Sequence, residues 1–175
     1  MELSDAISLI NHPYFNRSPH QIWADLGAGS GLFTYALAHL LGSNSTVYAY
    51  DKVPVRLQSL PNPPGVNIRT GQLDFVTTLL PVQHLDGLLM ANSLHYVADK
   101  AAFIRQVQSH LQPNGVFLVV EYDTSSANTW VPYPVPFKEL AQLFRQQGFG
   151  NAVKINERPS VFRSGKMYAA LFSRK

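Results

Sequence analysis

Short apolar runs rich in β-branched and aromatic residues recur along the chain, and stretches with helical spacing separate most of them. QIWADL (21–26) reads as a buried strand and TVYAYD (46–51) as a second. VNIRTG (66–71), reached through the turn LPNPPG, is a third; LDGLLMANSL (85–94) and VFLVVEYD (116–123) are the fourth and fifth. LFTYALAHLLG (32–42) predicts a helix closed by Gly42. DKAAFIRQVQSHL (99–111) has apolar residues at 103, 104, 107 and 111, one face of a second helix, and QPNG breaks it. PFKELAQLFRQQGFG (136–150) predicts a further helix. NAVKINERPS and GKMYAALFSRK follow as two strands with no helix between them, which requires an antiparallel hairpin. Between the fifth strand and that helix lies a Pro- and aromatic-rich loop, TSSANTWVPYPVP (124–136).

Strand–helix alternation implies an α/β fold with parallel strands joined by right-handed crossovers. The continuously apolar VFLVV suits a strand covered on both faces. A length of 175 residues suits a single domain over 1–175. No apolar run approaches the roughly 18 residues of a membrane span, so no membrane partner is expected. The N-terminal MELSDAISLINHPYF lacks a basic region followed by an apolar run, so no signal peptide is expected. The absence of cysteine excludes disulfides, thiolate chemistry and Cys-ligated zinc and fits a cytoplasmic protein. The acids show no metal-site spacing, so no metal is expected.

Charge is uneven. Residues 1–137 hold six Lys+Arg against nine Asp+Glu, a net of −3, while residues 138–175 hold eight against two, a net of +6. A basic segment can attract anions or nucleic acid, but these residues are spread out and form no nucleic-acid-binding motif, so a solvated basic face is preferred.

The candidate chemistry sits in WADLGAGSGLF (23–33), where Gly27, Gly29 and Gly31 alternate between the first strand and a helix. In a doubly wound sheet the ligand lies beyond the carboxyl ends of the strands at the switch point. Glycines there allow a ligand to approach bare backbone, and the helix start offers free N–H groups. The dinucleotide fingerprint G-x-G-x-x-G would put its later glycine at position 32, which is Leu32. Asp51, twenty positions after Gly31, ends the second strand, where an acid can accept both ribose hydroxyls of an adenosine.

DLGAGSG followed by VYAYD resembles the class I S-adenosylmethionine-dependent methyltransferases, and GQLDF (71–75), LDGLLMANSLHYV (85–97), HLQPNGVFLVVEYD (110–123) and the closing strand pair extend the resemblance over nearly the whole chain. It implies a seven-stranded, mostly parallel sheet in the order 3-2-1-4-5-7-6, with helices on both faces and a C-terminal antiparallel hairpin. It also implies S-adenosylmethionine as cofactor and S-adenosylhomocysteine as product. Carried over by position, Gly27, Ala28 and Gly29 would face the methionine part and ribose, and Asp25 would orient the amino group. Asp51, with Lys52 beside it, would bind the ribose diol; Asn92 would lie near the methionine moiety. Adenine would meet Leu73 and either Gln72 or Asp74, because the family's acid often stands where this chain has Gln72. The alternatives are local: Asp25 as a helix-capping or loop-ordering residue, Asp74 as the N-cap of FVTTLL, and Asn92 as a strand-end turn.

Methyl transfer from a sulfonium is an in-line displacement that depends on positioning, and a hydroxyl nucleophile also benefits from a base. Candidates are His95 and Tyr96 after the fourth strand, then Glu121, Tyr122 and Asp123 at the end of the fifth; a structural histidine is the competing reading. NHPYFNRSPH (11–20) and NTWVPYPVPF (128–137) are expected to cap the acceptor, with Tyr14, Trp130 and Tyr133 as aromatic walls; Arg158 and Arg163 could meet an anionic acceptor. The chain is short for the family, which favours a small-molecule acceptor over nucleic acid. Methylation of RNA or protein, a nicotinamide-dependent oxidoreductase and a non-catalytic cofactor-binding module remain alternatives. The sequence leaves the oligomeric state open.

Overall fold

The computed structural model describes residues 1–159 and 165–175. Its strands are β1 (Ile22–Leu26), β2 (Thr46–Asp51), β3 (Asn67–Gln72), β4 (Leu85–Ala91), β5 (Leu111–Tyr122), β6 (Asn151–Pro159) and β7 (Lys166–Ser173). Its helices are α1 (Leu3–Ile10), α2 (Leu32–Leu40), α3 (Lys100–Val107) and α4 (Phe137–Gln146). The strands form one sheet in the order β3-β2-β1-β4-β5-β7-β6. β1 to β5 are parallel; β7 runs antiparallel to both β5 and β6. This is the order that the family resemblance implies.

Alternation along the central strands builds two cores. Phe117 and Val119 face the side covered by α3 and α4, with Leu26, Phe103, Leu140 and Phe144. Val116, Leu118 and Val120 face the side covered by α1 and α2, with Leu9, Trp23 and Leu37. Both faces of β5 are therefore buried, which is why its sequence is continuously apolar. Asp99 caps α3, its carboxylate accepting from the Ala102 N–H at 2.9 Å.

Three expectations need correction. Gly42 does not close α2 in a left-handed turn: Leu41 is the extended capping residue, and the Pro19 backbone occupies the place of a Cβ at Gly42, 2.8 Å away. α3 ends at Val107, a tight turn carries the chain to His110, and β5 begins already at Leu111, paired with Leu85 before a register shift. The NHPYFNRSPH segment lies at the opposite end of the sheet from the glycine loop. There the Tyr14 hydroxyl donates to the carbonyls of Asp86 (3.1 Å), at the start of β4, and Asn114 (3.2 Å), and its ring meets Trp23 edge to face. Tyr14 therefore closes the bottom of the sheet instead of walling an acceptor.

Trp23 is completely buried and its indole N–H donates to Gln21 Oε1 at 3.1 Å. Its six-membered ring lies against Gly87 of β4, so close that an added Cβ would stand under 3.0 Å from three ring carbons. The ring is held and cannot yield. Gly87→Ala is expected to destabilise the protein by about 1–3 kcal/mol through overpacking, read as a lower urea midpoint.

Candidate active site

The turn after β1 is built by left-handed backbone. Gly27 and Gly31 have φ of +87° and +85°, a region closed to most side chains, and a Cβ on Gly27 would stand 2.5 Å from Ser93 Cβ. Gly29 (φ +54°) has nothing within 4 Å of its Cβ position, so the middle of the turn opens outward. The N–H groups of Gly27 and Ala28 both donate to Tyr50 O, at 2.8 and 3.0 Å, and the Gly29 N–H donates to Asp51 Oδ2 at 3.0 Å. The turn thereby hangs from the end of β2.

Two acceptors there are enclosed and unpartnered: Asp25 Oδ1 and Asn92 Oδ1, the only such side-chain atoms among the described residues. Asp25, near the end of β1, is 1% exposed, and its Oδ2 accepts from the Thr34 hydroxyl at 2.6 Å. Asn92, just beyond β4, is itself left-handed (φ +53°). Both residues line a small cleft of about 220 Å³ with Gly27 and Gly29. Burying such oxygens without donors is costly, so the cleft is suited to a group that brings N–H donors and positive charge. Burial pushes the Asp25 carboxyl up to about 7; the Thr34 hydrogen bond opposes this and the Asp51 charge adds to it.

A larger groove of about 630 Å³ adjoins this cleft, sharing Gly27 and Asn92 with it. Asp51, Lys52, Asp74 and Tyr96 line it, together with Val53, Phe75, Val76, Thr77 and Ser93. Asp51 Oδ1 also accepts from the Val53 N–H at 3.1 Å. Asp74 Oδ1 accepts from the Val76 N–H at 3.1 Å, so it orders its turn while facing the groove; FVTTLL is a turn and not a helix. Gln72 does not line the groove, and its side-chain N–H donates to Lys52 O at 3.0 Å. Leu73 is packed against the core behind it.

His95 and Glu121 are both buried and paired, with Nδ1 2.8 Å from Oε2. Tyr96 is 53% exposed at the rim of the groove. Trp130 and Tyr133 stand exposed on the loop after β5, where Lys100 Nζ donates to Val97 O (2.8 Å) and Tyr133 O (2.7 Å). Arg158 meets Asp5 at 3.2 Å, so it forms no anion site, and Arg163 lies outside the described residues. No group of three or more His, Asp or Glu residues among the described ones could hold a metal ion. Sequence reasoning missed Thr34, Ser93 and Lys100. Thr34 lies nine residues past Asp25 on a helix, and Ser93, whose hydroxyl donates to Leu26 O at 2.6 Å, packs on Gly27; no motif spacing marks either contact.

A family model described as "Methyltransferase domain" matches residues 24–117, just over half of the chain. The chain belongs to the methyltransferase-domain family. The match runs from β1 through the glycine turn and β4 into β5 and so contains both unpartnered oxygens. The ubiquinone/menaquinone biosynthesis C-methyltransferase of Shewanella frigidimarina is 27% identical over 139 residues, 70% of this chain and 54% of that protein. The chain thus spans about half the length of that relative. Among solved structures, an S-adenosylmethionine-dependent methyltransferase of Methanosarcina mazei superimposes with a TM-score of 0.70 at 15% identity, covering 95% of this chain and 99% of that one. A 1,6-didemethyltoxoflavin-N1-methyltransferase of Burkholderia thailandensis, with bound 1,6-didemethyltoxoflavin and S-adenosylhomocysteine, has a TM-score of 0.70 at 18% identity and covers 99% and 78%. At these identities the structures speak for the fold. No helix among the described residues is long and apolar enough to cross a membrane.

The raised Asp25 carboxyl predicts a pH dependence. The folded protein keeps this proton up to about 7, whereas the unfolded chain releases it near 3.8. The resulting stabilisation is whole below the lower value and is lost as pH rises through about 7. The free protein is therefore expected to lose stability as pH rises from about 4 to about 7 and to level off above that, and Asp25→Asn to flatten that slope, measured by urea midpoints across this range.

Proposed function

We propose that this chain binds S-adenosylmethionine along the carboxyl ends of β1, β2 and β4 and transfers its methyl group to a small molecule. The observation that carries this is the pair of unpartnered oxygens, Asp25 Oδ1 and Asn92 Oδ1, at the switch point of the sheet. An α-ammonium group supplies the donors and the charge that both lack. When bound, the cofactor supplies an electrophilic methyl on a sulfonium.

The chain's own residues account for the rest of the binding. The Gly27–Gly29 turn lies against the methionine part and ribose. Asp51 accepts from the ribose hydroxyls while the Gly29 and Val53 N–H groups keep its carboxylate in place. Asp74 meets the adenine amine beside Leu73, with Phe75 as an apolar wall; its place in the groove favours it over Gln72. Lys52 flanks the ribose.

The groove's volume of about 630 Å³ is of the size that ligand sites of ~300–1,000 Å³ have and suits the cofactor, while the likeness to a ubiquinone/menaquinone biosynthesis C-methyltransferase supports a small acceptor over a polymer. The basic C-terminal part gives little support to nucleic acid, because Lys154 pairs with Asp123 and Glu157, Arg158 with Asp5, and Lys166 with Glu157.

Calorimetric titration with S-adenosylhomocysteine, with NAD in parallel, tests the reading. Binding of the first alone is expected; binding of NAD alone would replace the proposal with a dehydrogenase. Asp51→Ala should weaken S-adenosylhomocysteine by about 1.5–3 kcal/mol while the far-UV spectrum is kept, because hydrogen bonds to a charged acceptor are removed.

A further inference from the structure

The small cleft beside the glycine turn is a dry place with an acid in it. Asp25 is 1% exposed, its Oδ2 accepts from the Thr34 hydroxyl at 2.6 Å, and its Oδ1 has no partner. One hydrogen bond from a neutral hydroxyl is a small return for taking a carboxylate out of water. Glu121, equally buried, has both the backbone N–H and the imidazole of His95 against its oxygens, at 3.0 and 2.8 Å. Asp25 has no such support.

The elements packed around Asp25 bring it no cation. β2 places Ala49 alongside and ends in Asp51, whose negative charge acts against ionisation. β4 places Leu89 alongside and leads to Asn92, which is neutral and whose own Oδ1 is unpartnered. α2 contributes the Thr34 hydroxyl. The other residues lining the cleft carry no charge, and Lys52 lines only the adjoining groove. None of the ion pairs among the described residues includes Asp25. A carboxyl group so placed keeps its proton close to neutral pH, and burial pushes this one up to about 7.

Resting on the methyltransferase reading, we infer that Asp25 stands protonated in the free protein and gives its proton to water when the cofactor's ammonium group enters the cleft, so that cofactor binding and the release of one proton are a single event. The O–H bond of the Asp25 carboxyl breaks, its electron pair stays on the carboxylate, and the ammonium group keeps all its own protons. A cation brought against the carboxyl oxygens favours the ionised form, which the bare cleft disfavours. The exchange leaves the charge of the cleft at zero in both states: a neutral acid before, a carboxylate paired with an ammonium after. No unpaired charge is ever buried there. The consequence is a site that loses cofactor on acidification, because only the ionised fraction of the protein receives it without first losing a proton.

Calorimetric titration of the full-length protein with S-adenosylhomocysteine at about pH 6, once in MES and once in imidazole, counts the protons, because the two buffers take them up with different heats. Release of most of one proton per bound ligand is expected, and clearly less at about pH 8, where Asp25 is already ionised. From about pH 7.5 down to about pH 5.5 the affinity should fall about 10- to 30-fold as the ionised fraction shrinks, while the ligand's ammonium keeps its charge throughout. Asp25→Asn cannot ionise; it should bind more weakly at pH 7.5, with an affinity level across the range and no proton released. The analogue 5′-methylthioadenosine, which lacks the amino-acid part, should release no proton from the wild-type protein. Equal heats in the two buffers at pH 6 with wild-type protein overturn the inference and leave the cofactor reading standing. So does a proton release that survives Asp25→Asn or that 5′-methylthioadenosine also causes. Failure to bind S-adenosylhomocysteine at every pH overturns the methyltransferase reading beneath it.

Discussion

The turn that leaves β1 hangs from β2, and the site depends on that attachment. Two N–H groups share the Tyr50 carbonyl and a third reaches the Asp51 carboxylate, so the parallel pairing of the two strands continues past their ends. Only a chain that passes through left-handed backbone can turn its amides that way, and it does so at Gly27, Gly29 and Gly31. Close approach sets a second demand, because Ser93 from β4's side packs on the bare Cα of Gly27. The turn is thereby held between the strand ends of β2 and β4, and the cleft opens where Gly29 faces outward.

Two buried carboxylates at this end of the sheet contrast in what they lack. Glu121 finds its donors inside the fold, in the ring and backbone N–H groups of His95. Asp25 finds one, the Thr34 hydroxyl, and its other oxygen has none. An unmet acceptor in a dry place raises the cost of charge, and the Asp25 carboxyl is pushed up accordingly. One carboxylate has its donors within the chain; the other keeps an oxygen that none of the described residues satisfies.

The opposite ends of the sheet have separate duties. Tyr14, Phe15 and Trp23 form an aromatic cluster at the amino ends of the strands, tied to carbonyls there, and serve packing. Trp130, Tyr133 and Tyr96 stand at the carboxyl ends and are exposed, although Lys100 and Asn128 order the backbone that carries two of them. Similar residue types thus do different work according to which end of a parallel sheet they occupy.

Local pattern determined the elements. β2 falls on its predicted bounds, and the hairpin after α4 follows from two apolar runs with no helix between them. The glycine spacing marked the turn, because left-handed backbone leaves a residue-level trace, and the family resemblance carried the strand order. Tertiary structure decided what spacing cannot encode. Glu121 and His95 lie 26 positions apart, and only the parallel register of β4 and β5 brings them together. Tyr14 went to the wrong end in the sequence reading because its partners lie 72 and 100 residues away. Gly42 was read as a helix stop, yet it is the packing of Pro19 that requires a glycine there. Asp74 and Gln72 differ by one strand pleat, and it is the path beyond β3 that turns the acid to the groove and the amide to Lys52. Periodicity and backbone conformation are local and are written in neighbouring residues; contacts between strand ends are set by register, which the whole sheet fixes at once.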